Sequence, residues 1–75
     1  MNEQQKETFA RNLRIAAASK GLSQVELADA LGTNPTTISR IFGGKRAATF
    51  EIVLAAAQYF GVTVERFLNE SIAKI

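Results

Sequence analysis

The chain has 75 residues, 47% of them hydrophobic and 21% charged, with a formal net charge of +2. That suffices for one small folded domain with a single core and is too apolar for a disordered chain. It contains neither cysteine nor histidine, which excludes a disulfide framework, a thiolate metal site and the commonest general base and zinc ligand.

The periodicity predicts five helices and no strand. The first spans about Lys6 to Lys20, with Phe9, Leu13, Ala16 and Ala17 on one face and Gly21 as its stop. The second opens at Ser23-Gln-Val-Glu26, a capping box in which Ser23 and Glu26 satisfy each other's free backbone donors. Ala28 is small where two helices cross closely, and Gly32 sits where the chain must turn sharply. The third helix opens at Asn34-Pro35: asparagine caps, and proline is pre-set for the first helical position. Ile38 and Ile41, three apart, turn one apolar edge inward and leave Thr36, Thr37, Ser39 and Arg40 on the exposed edge. Phe42 precedes Gly43-Gly44, which end this helix.

Lys45-Arg-Ala-Ala48 reads as a loop, and Thr49 caps a fourth helix that runs to about Phe60. Thr63 caps the fifth, from Val64 to near Ala73. One face of the fourth helix (Phe50, Val53, Leu54, Ala57) suffices to close a core, yet Ile52, Ala55, Ala56 and Tyr59 make its other side apolar too. The fifth adds Val64, Leu68, Ile72 and Ile75, a stripe at helical spacing. Either the last helix folds back on its own core or these surfaces serve self-association, and two of them on so small a chain favour the second. Ile52, Ala56, Tyr59, Leu68, Ile72 and Ile75 are then the candidate dimer contacts. Residues 1–75 read as one all-α domain, with a helix-turn-helix over about 24–43 and a dimerisation part over about 49–73.

Charge is unevenly spread. Lys6, Arg11, Arg14, Lys20, Arg40, Lys45 and Arg46 outnumber Glu3, Glu7, Glu26 and Asp29 in residues 1–50, whereas residues 51–75 are slightly acidic. The basic half holds the helix-turn-helix, as a phosphate-facing surface requires. Glu26 and Asp29 fall on the outer side of a helix, a solvated face and not a catalytic pair, so no enzyme, catalytic residue, metal or cofactor is expected. The opening Met1-Asn-Glu-Gln-Gln-Lys-Glu is polar and unlike a signal peptide. The longest apolar run, Ile52 to Ala57, falls far short of the roughly 18 residues of a membrane helix. A soluble, cytoplasmic protein without a membrane partner is expected.

From Phe9 to Leu68 the chain resembles the Cro and repressor (Xre) family of helix-turn-helix proteins. The resemblance rests on Leu13, Gly21-Leu-Ser-Gln24, Leu27-Ala28, Leu31-Gly32, Thr37-Ile-Ser39, Gly44-Lys45 and Phe60-Gly-Val-Thr63. It implies a five-helix lambda-repressor-like fold in a bacterial or phage protein. It also implies a homodimer on a near-palindromic double-stranded DNA operator, with the third helix in the major groove. Carried over residue by residue, base-facing positions fall on Pro35, Thr36, Ser39 and Arg40. Positions touching the DNA backbone fall on Ser23, Gln24, Asn34, Thr37, Lys45 and Arg46. Free N–H groups at the starts of the second and third helices suit phosphate oxygens. An outward arginine such as Arg40 can bond guanine O6 and N7 together, Thr36 can offer a methyl to thymine, and Ser39 a hydroxyl to either base type.

The chain departs from the family pattern at two places. An arginine in the first helix and a glutamate ending the third, paired across the core in many members, are replaced by Ala17 and Phe42. Losing both charges together is physically sensible, because losing one strands a buried charge; Phe42 is expected to pack over Ala17. Pro35 offers no donor, so base reading there must be apolar contact. The function implied is a sequence-specific transcriptional regulator, a dimeric repressor controlled by its own concentration. The alternative is an antitoxin or other partner-binding protein, whose fourth and fifth helices hold a toxin or another protein while DNA binding is autoregulatory.

Overall fold

The computed structural model describes residues 1–72 and contains five helices: α1 (Glu3–Ser19), α2 (Gln24–Leu31), α3 (Pro35–Phe42), α4 (Phe50–Phe60) and α5 (Val64–Asn69). Each begins at a polar residue whose side-chain oxygen accepts the backbone N–H three residues on. The caps are Asn2, Ser23, Asn34, Thr49 and Thr63, with distances from 2.8 Å at Gln5 N to 3.3 Å at Ile52 N. Four of them are the caps the sequence predicts. The fifth, Asn2, forms a capping box with Gln5 and starts α1 at Glu3, earlier than the predicted Lys6. Without such caps these short helices would leave their first N–H groups unsatisfied.

α1 packs on α3 and α5, α2 on α3 and α4, and α4 on α5. Phe67 of α5 sits at the centre, its ring 5.4 Å from Phe9 of α1 and 6.2 Å from Phe60 of α4. Such tilted pairs favour the ring edge over the neighbouring face. Phe9, Leu13, Ala16 and Ala17 of α1 are all buried, as the periodicity predicts. No helix among the described residues is long and apolar enough to cross a membrane.

Two features of the C-terminal half differ from the sequence reading. α4 is rotated: Ile52, Val53, Ala56, Ala57 and Phe60 are buried, while Phe50 (66% exposed) and Leu54 (38% exposed) face outward. A helix apolar nearly all round carries no phase in its sequence, so packing against α2 and α5 decides which face turns inward. α5 is also shorter than predicted. It ends at Asn69, and Glu70 is extended at φ −121° and ψ 149°. The expected helical stripe through Ile72 therefore does not form. Ile72 lies beyond the helix, buried in the core; Ile75 and the predicted helix end near Ala73 lie outside the described residues.

The expected dimer contacts redistribute accordingly. Ile52, Ala56 and Ile72 are spent on the chain's own core and have almost no surface to give a partner. Tyr59 remains exposed, its ring edge-on to Phe60 at 5.0 Å, and Leu68 is half-buried.

Candidate nucleic-acid interface

α2 and α3 meet through buried Leu27, Ala28 and Leu31 on one side and Ile38 and Ile41 on the other. The turn between them depends on Gly32 at φ +71°, where Thr33 N donates to Ala28 O at 2.9 Å. A residue with a Cβ is strained in that region. With its isoleucine edge in the core, α3 presents Pro35, Thr36, Ser39 and Arg40 together on its exposed side. These are the four residues expected to face bases.

Of the expected rim, Ser23, Gln24, Asn34, Lys45 and Arg46 are exposed. Thr37 is not: it retains 8% exposure, because it stands four residues before Ile41 on the inward edge of α3. Little of its side chain is left for a phosphate. The helix starts supply donors instead. Ser23 and Asn34 satisfy Glu26 N and Thr37 N, and Leu27 N and Ile38 N bond the cap carbonyls. Pro35 has no N–H, so at these two helix starts the backbone donors left unpartnered are Gln24 N and Val25 N on α2 and Thr36 N on α3. Such groups at helix starts suit anionic oxygens.

The far end of α3 is fully accounted for. Gly43 N bonds Ser39 O at 3.0 Å, Lys45 N bonds Arg40 O at 2.9 Å and Gly44 N bonds Ile41 O at 3.1 Å. Gly44 takes φ +71° to make this possible, which places Lys45 directly against the last turn of α3. The fourth carbonyl, that of Phe42, accepts from Arg14 Nη1 of α1 at 2.7 Å. Phe42 itself lies half-buried against the core that contains Ala17. The ion pairs among the described residues join Lys6 to Glu3 and Arg66 to Glu70, so Arg40, Lys45 and Arg46 keep their charge for something outside the chain. Among the described residues no group of three His, Cys, Asp or Glu side chains converges as a metal site would require.

A helix-turn-helix family model matches residues 11–67, most of the chain. The chain belongs to the Xre-type helix-turn-helix family. As a member it is a DNA-binding transcription regulator. Solved structures similar to this member include the SOS-response transcriptional repressor LexA from Eubacterium rectale, with TM-score 0.81, 27% identity and coverage of 95% of this chain and 76% of that one. Another is the hypothetical transcription factor NHTF from Neisseria, with TM-score 0.78, 27% identity and coverage of 93% and 82%. A third is the clp gene regulator ClgR from Corynebacterium glutamicum, with TM-score 0.74, 26% identity and coverage of 85% and 68%. No curated relative matches by sequence.

Two polar residues of this family member escape a sequence reading. Arg14 reads as one more surface cation, and nothing local ties it to a carbonyl 28 residues away. Asn12 lies on the buried face of α1 beside Phe9 and Leu13, where its amide serves the end of α5.

Proposed function

We propose that the protein is a sequence-specific repressor that binds a near-palindromic operator as a dimer, α3 lying in the major groove. The observation that carries this reading is the division of α3. Its isoleucine edge is sealed in the core, and Pro35, Thr36, Ser39 and Arg40 stand exposed beside the cations Lys45 and Arg46. Arg40 reads guanine through O6 and N7, and Ser39 and Thr36 contact the neighbouring bases. Ser23, Gln24, Asn34, Lys45 and Arg46, with the free N–H groups opening α2 and α3, hold the phosphates.

The dimer contact in this reading comes from α4 and α5. Phe50 and Leu54, one turn apart, form an exposed apolar edge on α4. Phe50 also lines a groove of about 220 Å³ with Met1, Val64 and Leu68. A second copy covering this face makes a symmetric contact. The molecule measures 25 × 24 × 18 Å, within the roughly 34 Å of one helical turn, so each copy can occupy its own half-site.

Selection from a random DNA library at near-physiological salt tests the proposal, since electrostatic binding fades with salt while specific sites survive. A two-fold symmetric motif is the expected product. No enriched motif would favour the antitoxin reading, in which the exposed Phe50–Leu54 edge holds a different protein.

A further inference from the structure

Two observations meet at the end of α3. Ala17 of α1 and Phe42 of α3 carry no charge, so no ion pair joins the two helices through them. Yet a single charged side chain still crosses from α1 to α3: Arg14 Nη1 donates to the Phe42 carbonyl at 2.7 Å. No other side-chain hydrogen bond links these two helices among the described residues.

The bond goes to the one carbonyl that needs it. A helix leaves its last four carbonyls without intrahelical partners. In α3 the chain's own turn serves Ser39, Arg40 and Ile41, and the Phe42 carbonyl would otherwise be left to water. A guanidinium there is also favoured by the negative end of the helix dipole. Arg40 and Lys45 are joined to each other in this same turn, through Lys45 N and Arg40 O. Whatever fixes the Phe42 carbonyl relative to α1 fixes the frame that carries both cations.

Arg14 is poorly placed to bind a phosphate itself. It lines a cleft of about 370 Å³ with Glu3, Lys6 and Glu7, and Lys6 is paired with Glu3 at 3.0 Å. Its two cations and two carboxylates cancel, so the cleft offers a phosphate no net positive charge.

We infer that Arg14 is a positioning residue for DNA reading: it locks the C-terminal turn of α3 to α1 and so holds Arg40 and the Lys45–Arg46 loop in register with the groove. This rests on the reading of α3 as the recognition helix.

The test compares wild type, Arg14→Gln and Arg14→Lys for affinity to the selected operator and to random DNA across a salt series. The carbonyl shift of Phe42 is followed by NMR in the free proteins. Arg14→Gln should lower operator affinity about 3- to 10-fold, the effect of one charge-assisted bond discounted for its exposure. Random-DNA affinity and the salt slope should stay as in wild type, and Arg14→Lys should restore most of the operator affinity. The Phe42 carbonyl should shift in Arg14→Gln without DNA. Equal losses on operator and random DNA, with a salt slope reduced by about one, would make Arg14 a phosphate ligand and overturn the inference. Unchanged affinities would overturn it as well. If wild type discriminates no sequence, the recognition-helix reading fails and the positioning role falls with it. The NMR shift then still shows whether the α1–α3 tie exists, so the two failures are distinguishable.

Discussion

Asn12 and Ile72, sixty residues apart, are joined by a hydrogen bond of 3.0 Å from the Ile72 N–H to the Asn12 Oδ1. The same side chain donates through Nδ2 to the carbonyls of Phe67 at 2.9 Å and Glu70 at 2.7 Å. Asn12 is wholly buried, and all its bonds go to backbone groups around the end of α5. Its carboxamide therefore replaces the next turn of α5. It takes up carbonyls that a longer helix would have bonded internally, and it turns the chain so that Ile72 enters the core.

Asn12→Ala should destabilise the domain by about 2–4 kcal/mol, because two carbonyls and one N–H lose their partner in a closed space. In a domain of this size that lowers the melting temperature by roughly 10–25 °C. Asn12→Asp is the sharper variant: it keeps the acceptor for Ile72 N but turns the donor into a carboxylate oxygen facing two carbonyls. It should be at least as destabilising as alanine, although it is nearly isosteric. Thermal and urea unfolding of both variants decide the matter; an Asp variant as stable as wild type would remove the donor bonds from the account.

The parts of the fold written in local chemistry are the legible ones. Ser23 with Glu26, Asn34 with Pro35, and Gly32 mark where α2 and α3 start and stop, because caps and left-handed turns depend on residues three or four apart. The exposed face of α3 follows from the same short range, since Ile38 and Ile41 alone fix its phase. The end of α5 depends on Asn12, more than fifty residues earlier in the chain, and no local pattern signals it. α4 fails for another reason: with apolar residues on all sides, its sequence is compatible with either rotation. The same ambiguity placed Ile52 and Ala56 on a partner-facing surface when they belong to the core.

Ala17 is 4% exposed, and restoring the family's arginine there alone should be costly. Ala17→Arg overfills the site and leaves a charge without a partner, a loss of about 3–5 kcal/mol. Adding Phe42→Glu supplies the missing carboxylate, and the double variant should recover a large part of that loss. A double-mutant cycle read by urea unfolding measures the coupling. Strictly additive effects would mean that the two positions do not face each other.

Arg40→Ala should weaken binding to the selected operator roughly 10- to 100-fold while leaving random DNA much less affected, because a bidentate guanine contact discriminates between bases. The loss should be concentrated at one guanine of each half-site, and replacing that guanine should cost the wild type about as much as the mutation does. Lys45→Ala differs in kind. A point charge against phosphates should weaken all sequences alike and reduce the salt slope by about one. Competition binding at several salt concentrations separates the two; an equal loss of operator and random DNA in Arg40→Ala would reassign Arg40 to the backbone.

Glutamate substitutions separate the dimer surface from the core. Phe50 and Leu54 are exposed on α4, so Phe50→Glu and Leu54→Glu should leave the domain folded. If a second copy covers this edge, each should shift sedimentation at matched concentration toward the monomer, since a carboxylate facing its own symmetry mate in an apolar contact is doubly unfavourable. Operator affinity should fall with them, because two half-sites then bind independently. Ile72→Glu behaves differently: Ile72 is 1% exposed, and a buried carboxylate there should unfold the domain before any question of dimerisation arises. An unchanged sedimentation coefficient in both α4 variants, with Ile72→Glu unfolded as expected, would move the dimer contact away from the Phe50–Leu54 edge and toward exposed Tyr59 at the other end of α4.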